Sequence, residues 1–276
     1  MANPRRHDET ARRLIIHCGV QKTASTSFHH FVRRNQSLLG QHAVILTPAK
    51  GSPMRELGRA AMRYSLHPTS DMADKLAGFA ATLRDSIPDG AEPILLSHEN
   101  LPGAMIGKAG VTTLYPHVEQ IIQVLTAQFA PLVPEFVFYT RDMAAWKTSV
   151  YNQAVRSDYY AHSRDVFLAE TAKCGSWSDL RHRIEALVGV DHVRFFEMEQ
   201  EHEPGKPGVS LLRHLGLDAA VIAALEPMDG RRNTSLNAGA LEFLRLINGL
   251  NLARSDRTQV AGLIGANPSL FVSDLA

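Results

Sequence analysis

Apolar residues along the chain fall into two alternating kinds of run. The first kind is short and nearly unbroken: Leu14, Ile15, Ile16, His17 and Cys18 lead into Gly19, and Ile94 to Leu96, Phe136 to Tyr139 and Val193 to Phe196 follow the same pattern. Such runs read as buried strands. The second kind has helical spacing. Phe28, Phe31 and Val32 recur at i, i+3 and i+4; Met72, Leu76, Phe79 and Leu83 share one face of a helix over 71–84, with Thr69 and Ser70 as N-caps. Val118, Ile121, Ile122, Leu125 and Phe129 mark another helix, closed by a turn from Pro131 to Pro134. Further helices carry Met143, Trp146 and Val150, then Leu180, Ile184, Leu187 and Val188, then Val209 to Leu215, and last Leu241, Leu244 and Ile247.

Strands that alternate with helices predict an α/β fold, a three-layer α/β/α arrangement about a central parallel sheet. No internal repeat occurs, and Glu201 to Gly208, the best linker candidate, is too short to separate domains. A single domain over 1–276 is expected, with 1–12 as a flexible lead-in. In such sheets ligands bind beyond the carboxyl ends of the strands. Polar groups follow Cys18, Leu96 and Tyr139, so three strand ends carry candidate chemistry.

Composition narrows the partners. The 276 residues are 45% apolar and 21% charged, ordinary for a chain with a packed core. A formal charge of +1 gives no global pull toward nucleic acid or anionic membrane, so an anion site must be assembled locally. Cys18 and Cys174 alone do not make a disulfide framework. No stretch approaches the roughly 20 apolar residues of a membrane span. A soluble, cytoplasmic protein without nucleic-acid partner is expected.

The segment Gly19-Val20-Gln21-Lys22-Thr23-Ala24-Ser25-Thr26-Ser27 sets one lysine and four hydroxyl residues where a strand turns into a helix. The first N–H groups of a helix lack intrahelical partners and carry the positive end of its dipole, which suits a phosphate or sulfate. The same hydroxyls also suit a plain helix cap. The run is not a Walker A loop, because Gln21 stands where a glycine must precede the lysine.

Lys22-Thr23-Ala24-Ser25-Thr26 resembles the 5'-phosphosulfate loop of the sulfotransferases that use 3'-phosphoadenosine 5'-phosphosulfate (PAPS), with Ala24 replacing that family's usual glycine. Arg141 at the third strand end and Ser149 eight residues on are similar to the family's 3'-phosphate motif. A guanidinium offers paired donors to phosphate oxygens and a hydroxyl adds a neutral one. Arg231 and Arg232 resemble the late basic loop that folds over the same phosphate. The resemblance implies a P-loop NTPase-like fold and a PAPS site made of Gln21, Lys22, Thr23, Ala24, Ser25, Thr26, Ser27, Arg141, Ser149, Arg231 and Arg232. The product would be adenosine 3',5'-bisphosphate (PAP), and no metal is expected.

Sulfuryl transfer to a hydroxyl or amine needs a base, and His98 and Glu99 follow the second strand. Glu99 is the first choice and His98 the second; Lys22 would neutralise charge on the leaving oxygen. A small-molecule or glycan acceptor is expected. Arg55, Arg59, Arg63, Tyr64 and His67 within 50–70 are candidates to line its pocket, as are Arg156, Tyr159, Tyr160 and His162 within 151–175. Two alternatives stay open: a nucleotide-dependent kinase with an atypical P-loop and Asp142 as magnesium ligand, and a nucleotide-binding domain without catalysis.

Overall fold

The computed structural model describes residues 12–229 and 236–272. In chain order the elements are β1 Leu14–His17, α1 Ser25–Arg34, α2 Gln36–Leu39, β2 Val44–Leu46, α3 Pro53–Leu66, α4 Ser70–Asp85 and β3 Ile94–Ser97. There follow α5 Val118–Phe129, β4 Pro134–Thr140, α6 Met143–Ser157, α7 Arg164–Glu170, α8 Trp177–Val188 and β5 Val193–Glu197. The last are α9 Val209–Leu215, α10 Ala219–Ala224, α11 Ala238–Asn248 and α12 Arg254–Ala266. The expected lead-in falls, but for Arg12, outside the described residues.

The chain divides into two compact units, one of residues 1–103, 117–140 and 181–229, the other of 104–116, 141–180 and 230–276. The first holds a five-stranded sheet in the order β2-β3-β1-β4-β5, with every pair parallel. The fold is therefore α/β with an all-parallel sheet. From β1 the chain builds outward to one side through β2 and β3, then to the other through β4 and β5. The carboxyl end of β1 is thus the topological switch point, where parallel sheets leave a crevice.

The three central strands β3, β1 and β4 are buried on both faces, which is why they read as continuous apolar runs and not as alternation. Ile15, Leu95, Val137 and Tyr139 form one core with Phe28, Phe31 and Val32 of α1 and Val209, Leu211, Leu212 and Leu215 of α9. Leu14, Ile16, Ile94, Leu96, Phe136 and Phe138 point the other way and are equally buried. Parallel register sets His17 beside Ser97, so both follow Ile15 and Leu95 on the face that α1 covers.

In this unit β2 and α3, like the short helices α2 and α10, were not visible as periodicity. β2 is three half-buried residues at the sheet edge, too short to show a period. α3 begins with Pro53 after Ser52, whose side chain accepts from the Arg55 N–H. That entry fits the preference for a serine cap and a proline in the first turn. The Glu201 to Gly208 segment is tied down, since Glu201 Oε1 accepts from the Tyr139 hydroxyl at 2.5 Å and from the Ser210 N–H at 3.2 Å.

In the second unit α6 packs against α7 and α11. Trp146, Val150, Tyr151, Ala154 and Val155 form its buried side. Arg257 is buried there, donating to Asn248 Oδ1 and to the Val155 carbonyl, both at 2.8 Å, with its guanidinium 4.4 Å from the Tyr159 ring centre. Cys18 and Cys174 are both free and buried. Among the described residues no helix is long and apolar enough to cross a membrane.

Candidate functional site

The segment from β1 to α1 continues to pair with β4 beyond the strand: the Cys18 N–H donates to the Val137 carbonyl at 2.8 Å and the Val20 N–H to the Tyr139 carbonyl at 3.0 Å. Gly19 has φ +78, and a β-carbon on it would lie 2.9 Å from the α-carbon of Glu99. Only glycine lets the loop and the end of β3 approach this closely. After it φ is again positive at Lys22 (69) and Ala24 (62). Such reversals of hand between neighbours are how backbone N–H groups are turned into an anion-binding concavity.

Among the described residues no side chain caps α1, whose N-cap Ala24 is left-handed. The plain capping role for the loop hydroxyls is therefore not used, and the first-turn N–H groups stay available. Each loop side chain has its own place. Thr23 is buried and its hydroxyl donates to the Val20 carbonyl at 2.6 Å, so Thr23 offers a ligand its backbone only. Gln21 is buried and donates from Nε2 to the Gly103 carbonyl at 2.9 Å and to Asn100 Oδ1 at 3.3 Å, bracing the loop against the chain after β3. Ser25 is buried, Lys22 and Ser27 half-buried, and Thr26 exposed.

At the end of β3 a buried polar chain connects both candidate bases. Ser97 Oγ lies 2.8 Å from His17 Nδ1 and 2.9 Å from His29 Nε2. His29 Nδ1 is 3.8 Å, and His98 Nδ1 3.5 Å, from Glu99 Oε2, which is buried and makes no hydrogen bond among the described residues. The Asn100 N–H donates to His98 Nδ1 at 3.1 Å. That nitrogen therefore faces Glu99 with a lone pair and not a proton.

Burial governs the protonation of the whole group. It drives His17 down to about 4, partly opposed by the Gly19 backbone. It drives His29 down to about 2, with the charges of His17 and His98 acting in the same direction. His98 falls to about 4 through burial and then the Arg55 guanidinium. Burial raises the Glu99 carboxyl above its ordinary range, its own backbone N–H opposing. Neutral imidazoles beside a carboxylate of increased basicity form a site suited to taking up a proton.

Glu99 opens on a cavity of about 350 Å³ in the first unit. His98 and Asn100 line it beside Glu99, Thr26, His29 and Arg33 enter from α1, and Arg55 and Arg59 from α3. Of the residues expected to line an acceptor pocket within 50–70, Arg55 and Arg59 are here and Arg63, Tyr64 and His67 are not. Arg33 and His29 were missed. Their signal was present in the sequence: Thr26, His29 and Arg33 stand at i, i+3 and i+7, one stripe on a helix whose apolar residues lie elsewhere.

Arg141 and Ser149 belong to the second unit, Arg141 directly after β4 and Ser149 within α6. Both are half-buried. The Arg141 carbonyl accepts from Trp177 Nε1 at 2.8 Å, while its Nε is buried with no hydrogen-bond partner among the described residues. Asp142 caps α6, accepting from the Ala145 N–H at 2.8 Å. Within 151–175, the Tyr160 hydroxyl donates to Glu170 at 2.7 Å. Tyr159 accepts from Arg254 at 3.2 Å. Arg231 and Arg232 lie outside the described residues. No family model matches this chain, and no curated protein matches it.

Proposed function

We propose that the chain is a PAPS-dependent sulfotransferase with a three-layer, P-loop-like architecture, acting on a hydroxyl or amine of a small-molecule or glycan acceptor. The observation that carries the reading is the close approach of Gly19 to Glu99, which holds the loop after β1 and a half-buried carboxylate together at the switch point of the sheet. A kinase acting on a hydroxyl would use both features as well, so the identity of the donor separates the two readings.

The donor supplies an activated sulfuryl group when bound. Lys22 and the uncapped N–H groups at the start of α1 fit its 5'-phosphosulfate by charge and by donor supply. Arg141, with a buried Nε that lacks a partner among the described residues, and Ser149 fit a 3'-phosphate by donor type. Glu99 takes the proton of the acceptor hydroxyl as the new S–O bond forms and the bond from sulfur to the phosphate oxygen breaks. Lys22 and the helix N–H groups neutralise the charge left on that phosphate, giving a sulfate ester and PAP. Asp142, the magnesium ligand in the kinase alternative, serves as the N-cap of α6.

Calorimetry with PAP in chelator tests the donor half: binding is expected without magnesium and should weaken at least tenfold in Lys22→Ala. Preference for ATP with magnesium, or no PAP binding, overturns the reading. Glu99→Gln tests the base, with PAP binding kept and transfer to a hydroxyl acceptor lost.

A further inference from the structure

The cavity in front of Glu99 is built for a charged ligand. Arg33, Arg55 and Arg59 line it, and among the described residues that line it Glu99 is the one acid and Pro48 the one residue of apolar type. Arg55 and Arg59 stand at i and i+4 on α3 and so share a face, as His29 and Arg33 do on α1. Two helices therefore direct cationic side chains to the same space.

The three arginines are not equally engaged. Arg59 pairs with Glu56 at 2.8 Å, and Arg33 lies 3.1 Å from His30 Nδ1. The Arg55 guanidinium has no acidic partner among the described residues, and its charge acts on His98 at the cavity floor. A half-buried guanidinium with no acidic partner among the described residues, opposite a half-buried carboxylate, favours a ligand that brings its own negative charge. Volume adds a limit. About 350 Å³ is at the small end of ligand sites, enough for one sugar-sized unit.

Resting on the sulfotransferase reading for its catalytic context, we infer that the acceptor is a small hydroxylated anion, or one such unit of a longer chain, whose carboxylate or phosphate is held by Arg55 with Arg33 and Arg59 while a hydroxyl faces Glu99. Uronic-acid units and phosphorylated sugars share this chemistry.

The test is calorimetry of the full chain at low salt with methyl glucuronoside, glucose 6-phosphate and methyl glucoside, with no donor present. Both anions are expected to bind in competition with each other, and the neutral glucoside at least about tenfold more weakly, the range for loss of a charged hydrogen bond. The tighter of the two anions identifies the source, a uronic-acid unit or a sugar phosphate. Arg55→Ala should weaken both anions about 10- to 100-fold, and Arg55→Lys should recover part of the loss. Because Arg55 is half-buried, a circular-dichroism melt checks that the variant is folded, and Arg33→Ala gives a second readout at a different helix. Glucoside binding as tight as that of the anions, or wild-type affinity in a folded Arg55→Ala, overturns the inference. No donor enters the measurement. Anion binding through Arg55 in a chain that fails to bind PAP would therefore remove the sulfotransferase reading and leave the anion site standing.

Discussion

The imidazole of His98 lies directly against Gly58 of α3: a β-carbon at position 58 would come within 2.2 Å of its Nε2 and Cδ2. This contact brings α3, and with it Arg55 and Arg59, up to the end of β3. Gly58→Ala should be destabilising although alanine is the better helix former. Overpacking of a buried ring costs about 1–3 kcal/mol. The helix-propensity gain is about 1 kcal/mol at most. Urea melts of Gly58→Ala, His98→Ala and the double variant check it. The double variant should be no less stable than His98→Ala alone, because the clash has gone. Equal losses that simply add would show that the two residues do not meet.

The buried histidines make stability fall in mild acid. His17, His29 and His98 are held well below 6.5, at about 4, 2 and 4, so between those values and 6.5 the unfolded chain binds protons that the native state does not. Their contribution is complete above pH 6.5 and is lost as pH falls toward 4, on the order of 1–2 kcal/mol per histidine between pH 7 and 5. Glu99 has the opposite sign. Its raised carboxyl gains a proton in the native state first, which offsets part of the loss as pH falls. Urea unfolding at pH 7, 6 and 5 should show decreasing stability, with a shallower slope in His29→Gln. A flat profile would contradict neutral burial of the three rings.

β1, β3 and β4 could be read from the sequence because burial on both faces writes them as nearly unbroken apolar runs, and β5, an edge strand, from Val193, Phe195 and Phe196 around an exposed Arg194. β2 was not, since three half-buried edge residues carry no period. The loop from Gly19 to Ser27 and the pair His98 and Glu99 were legible because their chemistry is consecutive in sequence. What joins them was not. Contact of Gly19 with Glu99 and of Ser97 with two histidines depends on parallel register between β1 and β3, a relation across about eighty positions. Arg33 was hidden for another reason: an arginine on the polar stripe of a helix reads as a solvated face until α3 is seen to bring two more beside it.

Ala24 occupies the left-handed region at φ +62, where a β-carbon costs about 1–2 kcal/mol. Ala24→Gly should release that strain. Part of the gain is cancelled by the greater freedom of glycine in the unfolded chain, about 0.4–1 kcal/mol. A net stabilisation of up to about 1 kcal/mol in a urea melt is expected. PAP affinity should be kept or improved, because the loop conformation is one glycine adopts freely. A loss of stability would mean that the methyl group makes a compensating contact.

Under the sulfotransferase reading Arg141 bears on the donor through geometry and not charge alone. A planar fork and a point charge differ most where two phosphate oxygens are engaged together. Under the sulfotransferase reading Arg141→Lys should therefore lose most of the PAP affinity, about tenfold or more, while affinity for adenosine 5'-phosphate stays near that of the native chain. Equal losses for both nucleotides would place Arg141 away from the 3'-phosphate.

Ser97 decides how Glu99 is served. Its hydroxyl has one proton and two neighbours, His17 Nδ1 at 2.8 Å and His29 Nε2 at 2.9 Å, so it donates to one imidazole and accepts from the other. If His17 donates and His29 accepts, His29 carries its own proton on Nδ1, directed to Glu99 Oε2 3.8 Å away. In the reverse order that nitrogen presents a lone pair to the carboxylate. His98 cannot replace it while neutral, because its Nδ1 already accepts from the Asn100 N–H. An ionised Glu99 thus selects the order His17, Ser97, His29. Ser97→Ala removes the selection and leaves two buried ring nitrogens without a partner, a loss of about 2–4 kcal/mol in stability. With the donor no longer fixed in front of it, the Glu99 carboxylate is less well stabilised and its pKa rises further. Under the sulfotransferase reading the ascending limb of the pH profile of kcat/KM, which requires ionised Glu99, should then move to higher pH in folded Ser97→Ala, and Ser97→Thr should restore it. An unchanged limb would limit Ser97 to packing.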